Sequence, residues 1–173
     1  VGSCRSAAAA AVRHVLGALA QRWLQLHEEV KAHTKVLKEL TRSVAPNLVE
    51  AFGIGPDIAA ELLVTAGSNS SRIHSEAAFA KLCGACPIPA SSGMTKRHRL
   101  NRGGNRQANA ALYRAVIVRM RWHAPTLAYV QRRTAEGLSK REVIRCLKRF
   151  VAREVYRLLP PGPAVVLPAA DAA

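Results

Sequence analysis

Between Val12 and Val44 the chain follows a strict four-three alternation: Val12, Leu16, Leu19, Trp23, Leu26, Val30, His33, Leu37, Leu40 and Val44. Leu16, Trp23, Val30, Leu37 and Val44 share one heptad position. Val12, Leu19, Leu26, His33 and Leu40 share the other. Only a continuous α-helix keeps such a set on one narrow stripe, so the spacing predicts a single helix over residues 6–44. Two uses of that stripe are open: a coiled-coil seam paired with another chain, or an amphipathic face laid on the chain's own domain. His33 interrupts the seam, either to set its register or as a tolerated polar residue.

Pro46 ends this helix, because proline lacks the N–H that would continue the ladder and restricts the residue before it. Two short helices are expected next, joined by Gly53-Ile54-Gly55, with Pro56 in the first turn of the second and Gly67 at its end. Ser75 is an N-cap for a helix through Cys83, which Gly84 closes. Residues 86–104 hold Pro87, Pro89 and three glycines and read as irregular chain. A helix over Arg106–Trp122 follows, with Leu112, Val116 and Met120 on one face. Pro125 then opens a shorter helix to about residue 135. Ser139-Lys-Arg-Glu142 is a capping box for a last helix, Lys140–Leu159, with Val143, Leu147, Phe150, Val151, Val155 and Leu158 facing inward. No stretch alternates with the period of a strand. The class is all-α: a long coiled-coil helix over 1–45, a small helical domain over 46–159, and a proline- and alanine-rich disordered tail over 160–173.

Charge narrows the partners. The 173 residues carry a formal charge of +15, with a pI near 10.9, which favours a polyanion, above all nucleic acid. Between Glu76 and Glu136 there is no acidic residue, while Lys81, Lys96, Arg97, Arg99, Arg102, Arg106, Arg114, Arg119, Arg121, Arg132 and Arg133 fall there. No apolar run approaches the roughly 20 residues of a membrane-spanning helix. The four cysteines are scattered apart from Cys83-Gly-Ala-Cys86, which suits a helix end better than half of a zinc or redox site. No metal site is expected within the chain. Trp23 and Trp122 sit at helical spacing among apolar neighbours and read as core.

Two segments have the residue types of a phosphate site. Phe52-Gly53-Ile54-Gly55-Pro56, followed by Ala59 and Leu62-Leu63, looks like a helix-hairpin-helix. Its glycines would leave amides at a helix N-terminus free for a phosphate, which the helix dipole also favours. The plainer reading is a tight turn between two core helices. The second segment, Pro89-Ala-Ser91-Ser92-Gly93 through Gly104-Asn105, places two hydroxyls and a glycine beside Lys96, Arg97, His98, Arg99 and Arg102. A serine needs a base, cation or metal to become a nucleophile, and Ser-Ser-Gly is also ordinary turn chemistry. Cations and the amides of Gly103 and Gly104 could stabilise a developing charge.

Taken in order, Gly53-Ile54-Gly55-Pro56, Ala59-x-x-Leu62-Leu63, Phe79-Ala80-x-x-Cys83-Gly84, Pro87-x-Pro89-x-Ser91-Ser92-Gly93 and Gly104-Asn105-Arg106 resemble a known domain. It is the carboxy-terminal transposase domain of the DEDD-type bacterial insertion-sequence transposases, the bridge-RNA-guided serine recombinases, over about residues 45–159. The resemblance implies DNA strand cleavage and transfer in insertion-sequence transposition, in a bacterial cytoplasm at the nucleoid. The serine before the loop glycine would attack a DNA phosphodiester: Ser92, with Ser91 as second choice. Gly53, Ile54, Gly55, Lys96, Arg97, Arg99, Arg102 and Arg106 would contact DNA. The family also has an amino-terminal RuvC-like domain whose carboxylates bind Mg2+. Val1–Val44 matches only the coiled coil that joins the two parts, and the chain's eleven acidic residues form no tetrad. The chain is then expected to be a portion of a longer protein or of a decayed element. A guide RNA and homo-oligomerisation through residues 6–44 complete the expectation. A non-catalytic helix-hairpin-helix module that binds DNA or RNA is the alternative.

Overall fold

The computed structural model describes residues 2–69, 73–94 and 98–160, with side chains from residue 7 onward. Lys96, Arg97 and the tail beyond Pro160 therefore lie outside the described residues. Within them the chain is all-α apart from one small hairpin. The elements run α1 (Gly2–Val44), α2 (Pro46–Glu50), α3 (Pro56–Gly67), α4 (Glu76–Leu82), β1 (Ile88–Pro89), β2 (His98–Arg99), α5 (Arg106–Trp122), α6 (Ala124–Ala135) and α7 (Lys140–Leu158).

At 43 residues, α1 is ~65 Å long. Only its last turns meet the rest of the fold, where Thr41 and the following Ala45 and Leu48 are buried and α1 packs on α3. Most of the heptad stripe faces solvent: Val12, Leu16, Leu19, Leu26, Val30 and Leu40 are exposed, and Trp23 is 62 % exposed. The stripe does not lie on its own domain, and Trp23 is not core. It stacks instead on His27, at 5.1 Å between ring centres.

The core gathers where α3, α4, α5 and α7 meet. Leu48, Leu62, Phe79, Leu112, Val116, Val143 and Val155 are fully buried there, each contributing about 1.5–3 kcal/mol of apolar burial. Helix ends follow the sequence closely. Ser75 Oγ accepts from the Ala78 amide at 3.2 Å, and both arms of the Ser139–Glu142 capping box are formed. Gly84 closes α4 with φ +63°. Asn105 also caps α5, its Oδ1 accepting from Gln107 N at 2.8 Å and Ala108 N at 3.1 Å.

Three further expectations need correction. Residues 86–104 are not wholly irregular, because β1 and β2 pair antiparallel with Ile88 opposite Arg99 and Pro89 opposite His98. Pairs this short lie below the reach of a period-two pattern. Trp122, at the last turn of α5, is 74 % exposed. Phe150 is also exposed, although it falls among the inward residues of α7.

Candidate functional site

Arg119 positions the turn between α2 and α3. Its guanidinium is buried and forms a fork on Glu154 of α7, Nη1 to Oε2 at 2.6 Å and Nη2 to Oε1 at 2.9 Å. Its Nε donates to the Phe52 carbonyl at 2.7 Å. One side chain thus joins α5, α7 and the turn. The hydrogen bonds from Arg119, with its charge and that of His123, hold the Glu154 carboxyl below its ordinary value against the opposing effect of burial.

Within that turn the glycines differ. Gly53 adopts φ +77° and packs so closely on α5 that a Cβ would lie 3.1 Å from the Ala115 carbonyl. A side chain is disfavoured there twice over. Gly55 has an extended backbone, φ −80° and ψ 174°, and a Cβ there would meet nothing within 4 Å. Ile54 is 2 % exposed, and its amide donates to the Ala51 carbonyl at 3.0 Å. It is a core residue with its N–H already used, which removes it as a direct ligand contact. The α3 N-terminus has no side-chain cap. Asp57 in its first turn, exposed and paired with Arg114 at 3.1 Å, puts a negative charge where an anion would sit.

The hairpin carries the serines. Ser91, Ser92, Gly93 and Met94 are all exposed beyond β1. Gly93 has φ +57°, and a Cβ there would meet nothing within 4 Å. Glycine thus serves the backbone bend rather than close packing. Arg99, Arg102 and Arg106 are exposed.

The hairpin base is locked to the end of α4. Gly104, at φ +97°, lies so close to that segment that a Cβ would come within 2.5 Å of the Leu82 carbonyl and 2.6 Å of the Gly84 amide. Asn105 N donates to Leu82 O at 2.6 Å, and Asn109 Nδ2 donates to Cys83 O at 2.8 Å. Asn101 Nδ2 donates to Cys86 Sγ at 3.1 Å. The Cys83-x-x-Cys86 pair is part of this clasp. Burial pushes the Cys83 thiol up to about 12, which leaves it a small inert apolar group near neutral pH.

A cleft of about 570 Å3 opens between the hairpin base and the α6–α7 pair. Lys148 and Arg145 of α7, Arg133 and Tyr129 of α6, and Arg99 of β2 line it. Lys148 is 7 % exposed and bonds to Asn109 Oδ1 at 2.9 Å. Burial, then the charge of Arg145, lower its pKa. Arg99 and Arg133 fall in the acid-free interval, whereas no motif or spacing singled out Lys148 or Arg145. Lys148 sits beside the apolar stripe of α7, where a periodic pattern predicts a solvated charge. Only the Asn105 cap could have been read, as the residue before Arg106.

The cations of the cleft and the exposed hydroxyls of the hairpin thus belong to one helical domain. The chain belongs to the Transposase IS116/IS110/IS902 family, whose pattern matches residues 45–131. It is also similar to the "Insertion element IS110 uncharacterized 43.6 kDa protein" of Streptomyces coelicolor (strain ATCC BAA-471 / A3(2) / M145), 29% identical over 152 residues. That match covers 86% of this chain and 37% of the relative, so the chain spans well under half of the relative's length. Among the described residues no helix is long and apolar enough to cross a membrane.

Proposed function

We propose that the chain is the serine-bearing portion of an insertion-sequence transposase that cleaves and transfers DNA strands through Ser92. One observation carries the reading: Ser92 stands exposed at the hairpin tip, directly before a glycine with φ +57°, in a chain of this transposase family. The Ser92 hydroxyl attacks the phosphorus. An Oγ–P bond forms as one P–O bond to deoxyribose breaks, and the hydroxyl proton ends on the departing oxygen. Ser91 is the alternative nucleophile. Arg99, Arg102 and Arg106, with Lys96 and Arg97, supply positive charge for the strand.

Magnesium belongs to this reading only through another domain. Among the described residues no group of three or more His, Cys, Asp or Glu side chains is placed to hold a metal ion. Glu142, the carboxylate of the cleft, is already bonded to the Ser139 amide and hydroxyl. Among the described residues the side chains do not fit a magnesium site. A RuvC-like domain would provide it, a guide RNA would select the target, and α1 would pair copies through its heptad stripe.

A second reading is a helix-hairpin-helix module that holds a backbone phosphate without chemistry: the α3 N-terminus has no side-chain cap, although Asp57 already places a carboxylate in its first turn. Incubating the longer protein that contains this chain with its element-end DNA separates the two. A covalent adduct on a denaturing gel, lost in Ser92→Ala with DNA affinity kept, is the expected result. An adduct that persists in Ser92→Ala defeats the assignment. Binding that weakens steeply with salt and never gives an adduct supports the module instead.

A further inference from the structure

We infer that the cleft between the hairpin base and α6–α7 binds an unpaired nucleotide of a DNA strand, its phosphate on Lys148 and Arg145 and its base against Tyr129 and Phe150. This rests on the reading that the chain acts on DNA, and it deepens that reading by assigning a place for the strand.

One carboxylate in the lining, Glu142, stands against Arg99, Arg133, Arg145, Lys148 and Arg149. Lys148 is buried with a neutral amide as its bonding partner, and Arg145 is the charged neighbour that depresses it. A buried ammonium without a carboxylate is unfavourable unless something compensates it. Arg145 faces Glu142 only at 3.8 Å, and that carboxylate caps α7. The buried Arg133 Nε–H has no acceptor among the described residues. The other carboxylates nearby are occupied as well: Glu76 pairs with Arg149 and with Arg153 at 3.1 Å, and Glu136 pairs with Arg133. An anion entering the cleft would therefore meet more positive than negative charge and, on Arg133, an N–H donor without an acceptor among the described residues.

A simple phosphate would not need the aromatic part of the lining. There Tyr129 and Phe150 meet edge to face, 5.4 Å between centres and 85° between planes. Arg132 and Arg133 lie 5.5 Å and 6.0 Å from the Tyr129 ring centre. Leu100 and Leu138 extend the apolar surface. Aromatic rings, half-buried at Tyr129 and exposed at Phe150, beside an excess of cations are the chemistry that grips single-stranded nucleic acid, by stacking and by charge together. A continuous duplex keeps its bases inside the stack and cannot offer one to such a wall. The cleft's volume also lies within the usual range for a small organic ligand.

Fluorescence anisotropy of the full chain with a labelled oligothymidylate of about ten nucleotides tests the assignment, against a duplex of equal length and an oligouridylate. Phe150→Ala and Arg145→Gln are expected each to weaken oligothymidylate binding by about tenfold and duplex binding by no more than about twofold. Both side chains reach solvent, so these variants are expected to fold even where Lys148→Met does not. Equal losses on both probes, or none on either, would overturn the site. Tighter, cleft-dependent binding of oligouridylate would overturn the assignment to DNA. Ser92→Ala should keep the single-strand preference. Adduct formation by Ser92 with no such preference would refute the cleft and leave the serine chemistry standing.

Discussion

Replacing Arg119 with methionine should cost the fold about 2–3 kcal/mol, because the side chain ties three elements at once. Methionine keeps much of the apolar stem's packing and removes the charge and the donors. Breaking a fully buried ion pair typically costs ~3–5 kcal/mol. Here the Arg119 side chain is 7 % exposed but Glu154 is 43 % exposed, so water recovers part of the carboxylate's solvation and the figure is discounted accordingly. The Phe52 carbonyl, left without its donor, adds about 1 kcal/mol within that total. For a chain of this size the melting temperature should fall by about 5–10 °C. Urea unfolding followed by circular dichroism measures the loss. Glu154→Gln should reproduce a large part of it, and the double variant should lose less than the sum. Acidification supplies a second arm. The Glu154 carboxyl is held below its ordinary 4.5, so the pair's stabilisation is fully present above that value. It is lost as pH falls through the lower folded value, and Arg119→Met should lack this component. A loss below ~1 kcal/mol, or one that Glu154→Gln does not share, would refute the strut.

Gly104→Ala should destabilise by about 3 kcal/mol or more, since its Cβ would strike backbone rather than a movable side chain, whereas Gly93→Ala should cost only about 1 kcal/mol; urea midpoints compare the two. Placing aspartate at Trp23 and Val30 should reduce the mass measured by light scattering to that of a monomer. The same change should leave the unfolding of the 45–159 domain within about 0.5 kcal/mol, because that stretch of α1 does not pack on the domain.

Much of the fold was legible because its signals are local. A four-three repeat needs nothing beyond its own helix, and Pro46, Ser75, Gly84 and the Ser139–Glu142 box mark boundaries through bonds made within a few residues. What escaped depends on distant partners. Ile54 stands in a turn that looks accessible, and it is buried because α5 lies across that turn. Trp122 matches an apolar period yet faces outward, and Phe150 stays half open at the cleft although it meets Tyr129, because a helical face is buried only where another element covers it. Lys148 is the converse case, a charge drawn inward by Asn109 from another helix. The serine hairpin could be recognised as a motif, but the paired strands that shape its base could not, since two residues on each side establish no period.

The positive charge next to Ser91-Ser92-Gly93 in sequence and the positive charge gathered by folding are largely different sets. Of the cluster adjacent in sequence, Arg99, Arg102 and Arg106 are all exposed, and of these three Arg99 also lines the cleft. The cleft's remaining cations come from α6 and α7, beyond the acid-free interval or at its end. Arg99 therefore links the two sets, because it belongs to the strand that leads back from the serine tip. The Gly84–Gly104 contact and the Asn101, Asn105 and Asn109 bonds hold that strand's base against α4, which in turn packs on α7. The tip is consequently carried on the same clasp that forms one wall of the cleft, and loosening that clasp would disturb the hydroxyls and the cations together.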